Sequence, residues 1–156
     1  MSFDAAAVDN LFAALVTDAE LTGLFETVQT HEPKSAPQNG LNCSVWVDTI
    51  KPVRTSGLNS TSGLVTFFIR IYNSMLAEPQ DDIDPQILAA VGVLMNTYSG
   101  DFELGDVADV RMVDLLGAYS DGLSAQAGYM SIDSKMFRVM VITLPVVLND
   151  MFPQSP

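Results

Sequence analysis

A polar segment with two prolines, Thr30-His31-Glu32-Pro33-Lys34-Ser35-Ala36-Pro37, passes through Asn39-Gly40 straight into Leu41-Asn42-Cys43-Ser44-Val45-Trp46-Val47. The second stretch alternates apolar and polar residues, the period-two pattern of a strand with one buried face. This junction divides a helical start from a β-rich remainder and sets the class of fold available to the chain.

Before the junction, residues 3–16 read as a helix. Phe3, Val8, Leu11, Phe12 and Leu15 recur at helical spacing with alanines between them. Ser2 suits the N-cap, Asp4 suits the positive end of the helix dipole, and residues 17–21 restart a turn that Gly23 closes. A short strand is expected over 25–30. After the junction, 41–53 reads as a strand with Leu41, Cys43, Val45 and Val47 on one side, and Pro52 marks a frayed end or an edge. Residues 54–62 form a long polar hairpin loop. Residues 63–72 return as a strand that buries Val65, Phe67, Ile69 and Ile71, with Leu64, Phe68 and Tyr72 on a partly covered opposite face. Asp84-Pro85 starts a second helix, with Asp84 as cap, whose stripe is Ile87, Leu88, Val91, Leu94, Met95 and Tyr98 and which Ser99-Gly100 ends. Strands follow over 107–116, 123–132 (at an edge) and 136–144. Asp133-Ser134 forms the tight turn, the last strand is central, and Pro145 bends or ends it. The expectation is a single α+β domain over 1–156. It holds an antiparallel sheet of five to six strands, with two helices on one face and a loose tail from about residue 150.

The bulk properties narrow the function classes. At 156 residues and 48% apolar content, the chain can bury roughly 70% of its unfolded surface. A formal charge of −12, from 19 acidic and 7 basic residues, removes the counterion-release term that grips duplex DNA. It suits solubility, or a passage that DNA slides through. One cysteine, Cys43, permits no intrachain disulfide, and its place in the alternating strand predicts a buried, inert thiol. No signal peptide is apparent, and the longest apolar run is too short to span a bilayer.

No constellation of reactive groups emerges. His31 is the sole imidazole. General-base chemistry is conceivable there, but a structural role or a subunit contact is the simpler reading. Glu78, Asp81, Asp82 and Asp84 lack the spacing of a calcium loop and read as a solvated turn and a helix cap. Asp101, Glu103, Asp106 and Asp109 belong to a turn-rich connection. The glycines form neither dinucleotide nor phosphate-loop motifs. Metal and cofactor sites are therefore not expected. Lys51 and Arg54 are clustered cations at the base of the 54–62 loop; they either meet an acidic patch on a neighbour or protect a strand edge.

The chain resembles the tail terminator proteins of long-tailed phages, in the version common in phages of actinobacteria. The resembling residues are His31 to Pro37, Leu41 to Val47, Ile69-Arg70-Ile71-Tyr72, Met75 to Pro79, Tyr98-Ser99-Gly100-Asp101-Phe102, Asp114-Leu115-Leu116-Gly117-Ala118-Tyr119 and Leu123-Ser124-Ala125-Gln126-Ala127-Gly128-Tyr129. The resemblance implies a helix ahead of an antiparallel sheet with a second helix between its halves, and a non-enzymatic virion component. It implies a ring, usually of six copies, that caps the tail tube, ends its polymerisation and faces the head connector or stopper protein. DNA would pass through the lumen without specific binding, with no membrane involved. Assembly would take place in the host cytoplasm and the product would sit in the virion neck. Within that reading, His31, Lys51, Arg54, Leu58 and Asn59 are candidate contacts to the neighbouring subunit or the tube, the last three on the long loop. The alternative is another head–tail joining protein, a stopper or tail completion factor.

Overall fold

The computed structural model describes residues 5–33, 40–53, 60–74, 83–100 and 110–153. Helix α1 (Ala5–Leu21) leads to the short strand β1 (Thr27–Gln29), then to β2 (Leu41–Val53) and β3 (Ser60–Ser74). Helix α2 (Ile83–Gly100) follows, and β4 (Val110–Val113), β5 (Ser124–Ile132) and β6 (Lys135–Pro153) complete a six-stranded sheet. The strand order is β1-β2-β3-β6, and β6 carries both β4 and β5 on its far side. β6 is central, as its two-sided apolar pattern predicts. The fold is α+β.

Both helices pack on one face. Leu11, Leu15 and Ala19 of α1 and Ile87, Ala90, Val91, Leu94 and Tyr98 of α2 share one cluster with Cys43, Val45, Val65, Phe67, Ile69, Ile71, Ile142 and Leu144. Each fully buried Leu, Ile or Phe contributes about 1.5–3 kcal/mol. The stripe on α2 differs from expectation at Leu88, which is 63% exposed.

Four features depart from the sequence reading. α1 is continuous to Leu21, without a restart at residue 17. β1 pairs with β2 in parallel, with Val28 opposite Cys43, so the sheet is mixed. Residues 30–40 separate these two strands, a length that fits a crossover connection and not a tight hairpin. The helix at 83–100 begins one residue before Asp84, which lies inside the first turn and not at the cap. β6 runs through Pro145 to Pro153. There the Pro145 carbonyl accepts a hydrogen bond from the Asp114 N–H at 2.9 Å. A strand residue points its N and O to the same side, so the donor missing from proline falls at the junction between β5 and β4, where the strand loses least.

The Asp133-Ser134 turn is as expected, with both residues in the left-handed region at φ 51° and 64°, the geometry of a two-residue hairpin. Ser2, Asp4, the acidic residues 78–82 and the 101–109 connection lie outside the described residues.

Candidate functional site

The face of the sheet away from the helices holds most of the polar chemistry. A bulge between Val47 and Thr49 determines which residues reach it. Up to Val47 the odd-numbered positions of β2 face the helices. Beyond the bulge Thr49 pairs with Thr66 and Lys51 with Leu64, so the alternation flips and Lys51 joins the opposite face. It lines an open cleft of about 430 Å³ with Asp48, Phe68, Asp121 and Thr143.

One wall of this cleft is a rigid loop. Asp114 is fully buried. Its carboxylate accepts bonds from Ala118 N (2.7 Å), Tyr119 N (2.9 Å) and the Ser120 hydroxyl (2.7 Å). Ser120 Oγ in turn accepts from Gly122 N at 3.0 Å. Burial pushes the Asp114 carboxyl up, but the hydrogen bonds from Ser120, Tyr119 and Ala118 outweigh it and hold the group below its ordinary value. Gly122 sits at φ +88°, and a Cβ there would lie 2.7 Å from the Leu115 carbonyl oxygen, so the turn requires glycine. This frame presents Leu116 with 98% of its surface exposed.

His31 lies elsewhere. It is exposed, and its Nδ1 donates to the Glu32 carbonyl at 3.0 Å. The Glu32 carboxylate stands 3.7 Å from Arg70 Nη1. Arg70 and Leu64, the residue opposite Lys51, are six positions apart on β3, about 20 Å along the strand. His31 and Lys51 therefore do not share a site. Arg54, Leu58 and Asn59 fall outside the described residues.

Two arginines organise surfaces that the sequence reading did not single out. Arg70 lies over the Trp46 ring at 4.8 Å and the Tyr72 ring at 5.9 Å, with Nη1 3.3 Å from Tyr72 Oη and 3.4 Å from Met130 Sδ. Stacking of this kind is favourable where the cation is partly desolvated. Tyr72 also packs edge-on against Phe137. The signal was the alternation itself, since Phe68, Arg70 and Tyr72 fall on one side of β3. Arg138 lies on the helix-bearing face. Its Nε donates to Asp84 Oδ1 at 3.0 Å, its Nη1 to the Gly128 carbonyl at 3.1 Å, and its guanidinium covers Tyr129 at 4.5 Å. It ties the start of α2 to the β5–β6 hairpin beside a groove of about 400 Å³, walled by Ile87, Leu88, Ala127 and Met140.

Among the described residues, no group of three or more His, Cys, Asp or Glu side chains is placed to hold a metal ion. Cys43 is fully buried, and burial pushes its thiol up to about 12, which keeps it protonated and unreactive. No described helix is long and apolar enough to cross a membrane.

No protein-family model matches the chain, and no curated protein matches it. Among solved structures, a chain from the virion of a native gene transfer agent particle is similar over 94% of this chain and 100% of that one, with 13% identity and a TM-score of 0.45. A likeness that loose carries no functional weight.

Proposed function

We propose that this chain is a structural subunit of a phage-like virion, a tail terminator that forms a ring, of six copies, on the end of the tail tube. The ring stops tube growth and offers a surface to the head connector. It works by shape, with no bond made or broken. DNA crosses a lumen whose acidic character discourages sticking.

The observation that carries this reading is the agreement of element order. The resemblance calls for a helix ahead of an antiparallel sheet with a second helix between its halves; the parallel pairing of β1 is the one departure from it. The described fold has α1, then β1 to β3, then α2, then β4 to β6, with both helices on one face. The resembling stretches also fall on defined features: Leu41 to Val47 opens β2, Asp114 to Tyr119 builds the clamped loop, and Leu123 to Tyr129 enters and forms most of the edge strand β5. Contacts to the tube would use the exposed Leu116 and the Lys51 end of the sheet, with Arg54, Leu58 and Asn59 following Lys51 in the chain. His31 would sit at a subunit contact.

Deleting the gene from the particle that encodes it tests the proposal. Tails of irregular, excessive length, restored to one length by the wild-type chain, are expected. Uniform tails that fail to join heads would instead assign the chain to the stopper or completion step.

A further inference from the structure

The sheet has two long stretches of outer edge, and they are guarded differently. The outer side of β2 beyond its pairing with β1 carries Asp48, Lys51, Pro52 and a bulge. These are the devices by which edge strands resist pairing with another chain. β5 has none of them. It is nine residues long, Ser-Ala-Gln-Ala-Gly-Tyr-Met-Ser-Ile, with no charge and no proline. Its pairing with β6 is unbroken from Ser124 opposite Thr143 to Ile132 opposite Lys135, so no bulge turns it away. Among the described residues nothing pairs with its outer side. The adjoining groove is apolar, and its two charges, Asp84 and Arg138, are paired with each other. Leu88 and Tyr129 beside it are 63% and 62% exposed.

The other end of the sheet carries a fitting counterpart. β1 is Thr27-Val28-Gln29, also uncharged, and Leu21 and Leu24 just before it are 79% and 42% exposed. The registers place both ends at one level. Val28 lies opposite Cys43, Cys43 opposite Ile71, Ile71 opposite Met140, and Met140 opposite Ala127. This row crosses the sheet from β1 to β5. The directions also match. β1 runs with β2, against β3, with β6 and against β5, so a copy set beside this one in the same orientation brings its β1 antiparallel to β5.

From these observations we infer that the outer edge of β5 is the docking site for a second copy of this chain. The β1 segment of that copy extends the sheet, and its Leu21 and Leu24 seat in the groove between α2 and β5. The contact is heterologous, and with both halves at one level it makes a ring when the rotation between neighbours closes. Two copies of formal charge −12 meet here through two strands that carry no charge themselves, beside a groove whose two charges are paired. The inference rests on the ring reading above and names the surface that makes the ring.

Cysteine cross-linking tests it in a Cys43→Ala background, because Cys43 lies opposite Val28 and would otherwise capture a thiol placed there. Val28→Cys and Ala127→Cys are made singly, purified, mixed and oxidised, and assembly of the unmodified chain is followed in parallel by sedimentation and electron microscopy. The expected result is a covalent dimer from the mixture and none from either variant alone. Ala127→Lys, with unchanged circular dichroism and urea midpoint, is expected to weaken association at least tenfold, and Leu24→Asp to act in the same direction. Self-cross-linking of Ala127→Cys alone would mean a two-fold contact and overturn the inference. Rings that persist in Ala127→Lys and Leu24→Asp and give no 28–127 cross-link would overturn this surface and leave the ring reading standing. An unmodified chain that stays monomeric at every concentration and on tube ends would overturn the ring reading itself.

Discussion

The two faces of the sheet are built from alternate residues of the same strands, yet they are held in different ways. Toward the helices, Cys43, Val45, Phe67, Ile69, Ile142 and Leu144 form an apolar layer that any well-fitting helix surface can cover. On the opposite face Ser44, Trp46, Thr66, Phe68, Arg70 and Tyr72 mix hydroxyls, rings and a guanidinium, and specific partners hold them. The first face supplies bulk stability. The second supplies position, because hydrogen bonds and stacked cations fix geometry that hydrophobic burial leaves loose.

The largest test of that contrast is a matched pair of truncations. Phe67→Ala should cost about 3–5 kcal/mol in urea unfolding, because it empties a fully buried site. Trp46→Ala, at a half-buried site across the sheet, should cost clearly less. Equal losses would erase the distinction between the faces. Next is the clamped loop, where Asp114→Ala leaves two backbone N–H groups and the Ser120 hydroxyl without their acceptor and should cost about 2–3 kcal/mol. The wild-type carboxyl titrates below its ordinary value in the folded chain. Its stabilisation is therefore complete above the unfolded carboxylate range and is lost as pH falls through the folded value. The gap between wild type and Asp114→Ala should accordingly narrow in acid, read from urea midpoints at a series of pH values.

Smaller effects sharpen the picture of the helix-bearing face. Tyr98 is fully buried there, its phenol is raised well above the ordinary value chiefly by burial, and its hydroxyl has no hydrogen-bond partner among the described residues. Tyr98→Phe should therefore stabilise the chain, by up to about 1 kcal/mol; a loss of similar size would mean that the hydroxyl is satisfied. Smallest in its effect on the fold, a thiol reagent should leave Cys43 unlabelled in native protein and label it completely in urea, as its burial and raised value require.

The α+β class, the β2 boundaries, the Asp133-Ser134 turn and the central place of β6 were legible because each rests on local periodicity or on turn chemistry. The parallel pairing of β1 was not, since three residues carry too little pattern to orient a strand. Lys51 was singled out correctly as an unusual cation, but its face was not readable: one extra residue at the bulge reverses it, and no residue type announces that bulge. The roles of Arg70 and Arg138 as contact centres were hidden for a related reason. Each sits within an apolar run, and its value lies in rings and carboxylates contributed by distant parts of the chain, such as Trp46 for one and Asp84 for the other.

The placement of β6 has a consequence for how the molecule is made. It follows every other strand in chain order, yet it joins β3 on one side to β4 and β5 on the other. During synthesis the ribosome releases both helices and five strands before the strand that unites them. Until then the β2–β3 hairpin offers an unclaimed, strongly apolar flank. The nascent chain thus passes through a period of exposed stickiness that ends only when residues 135–153 emerge, and slow translation of that stretch would lengthen the window in which chaperones are needed.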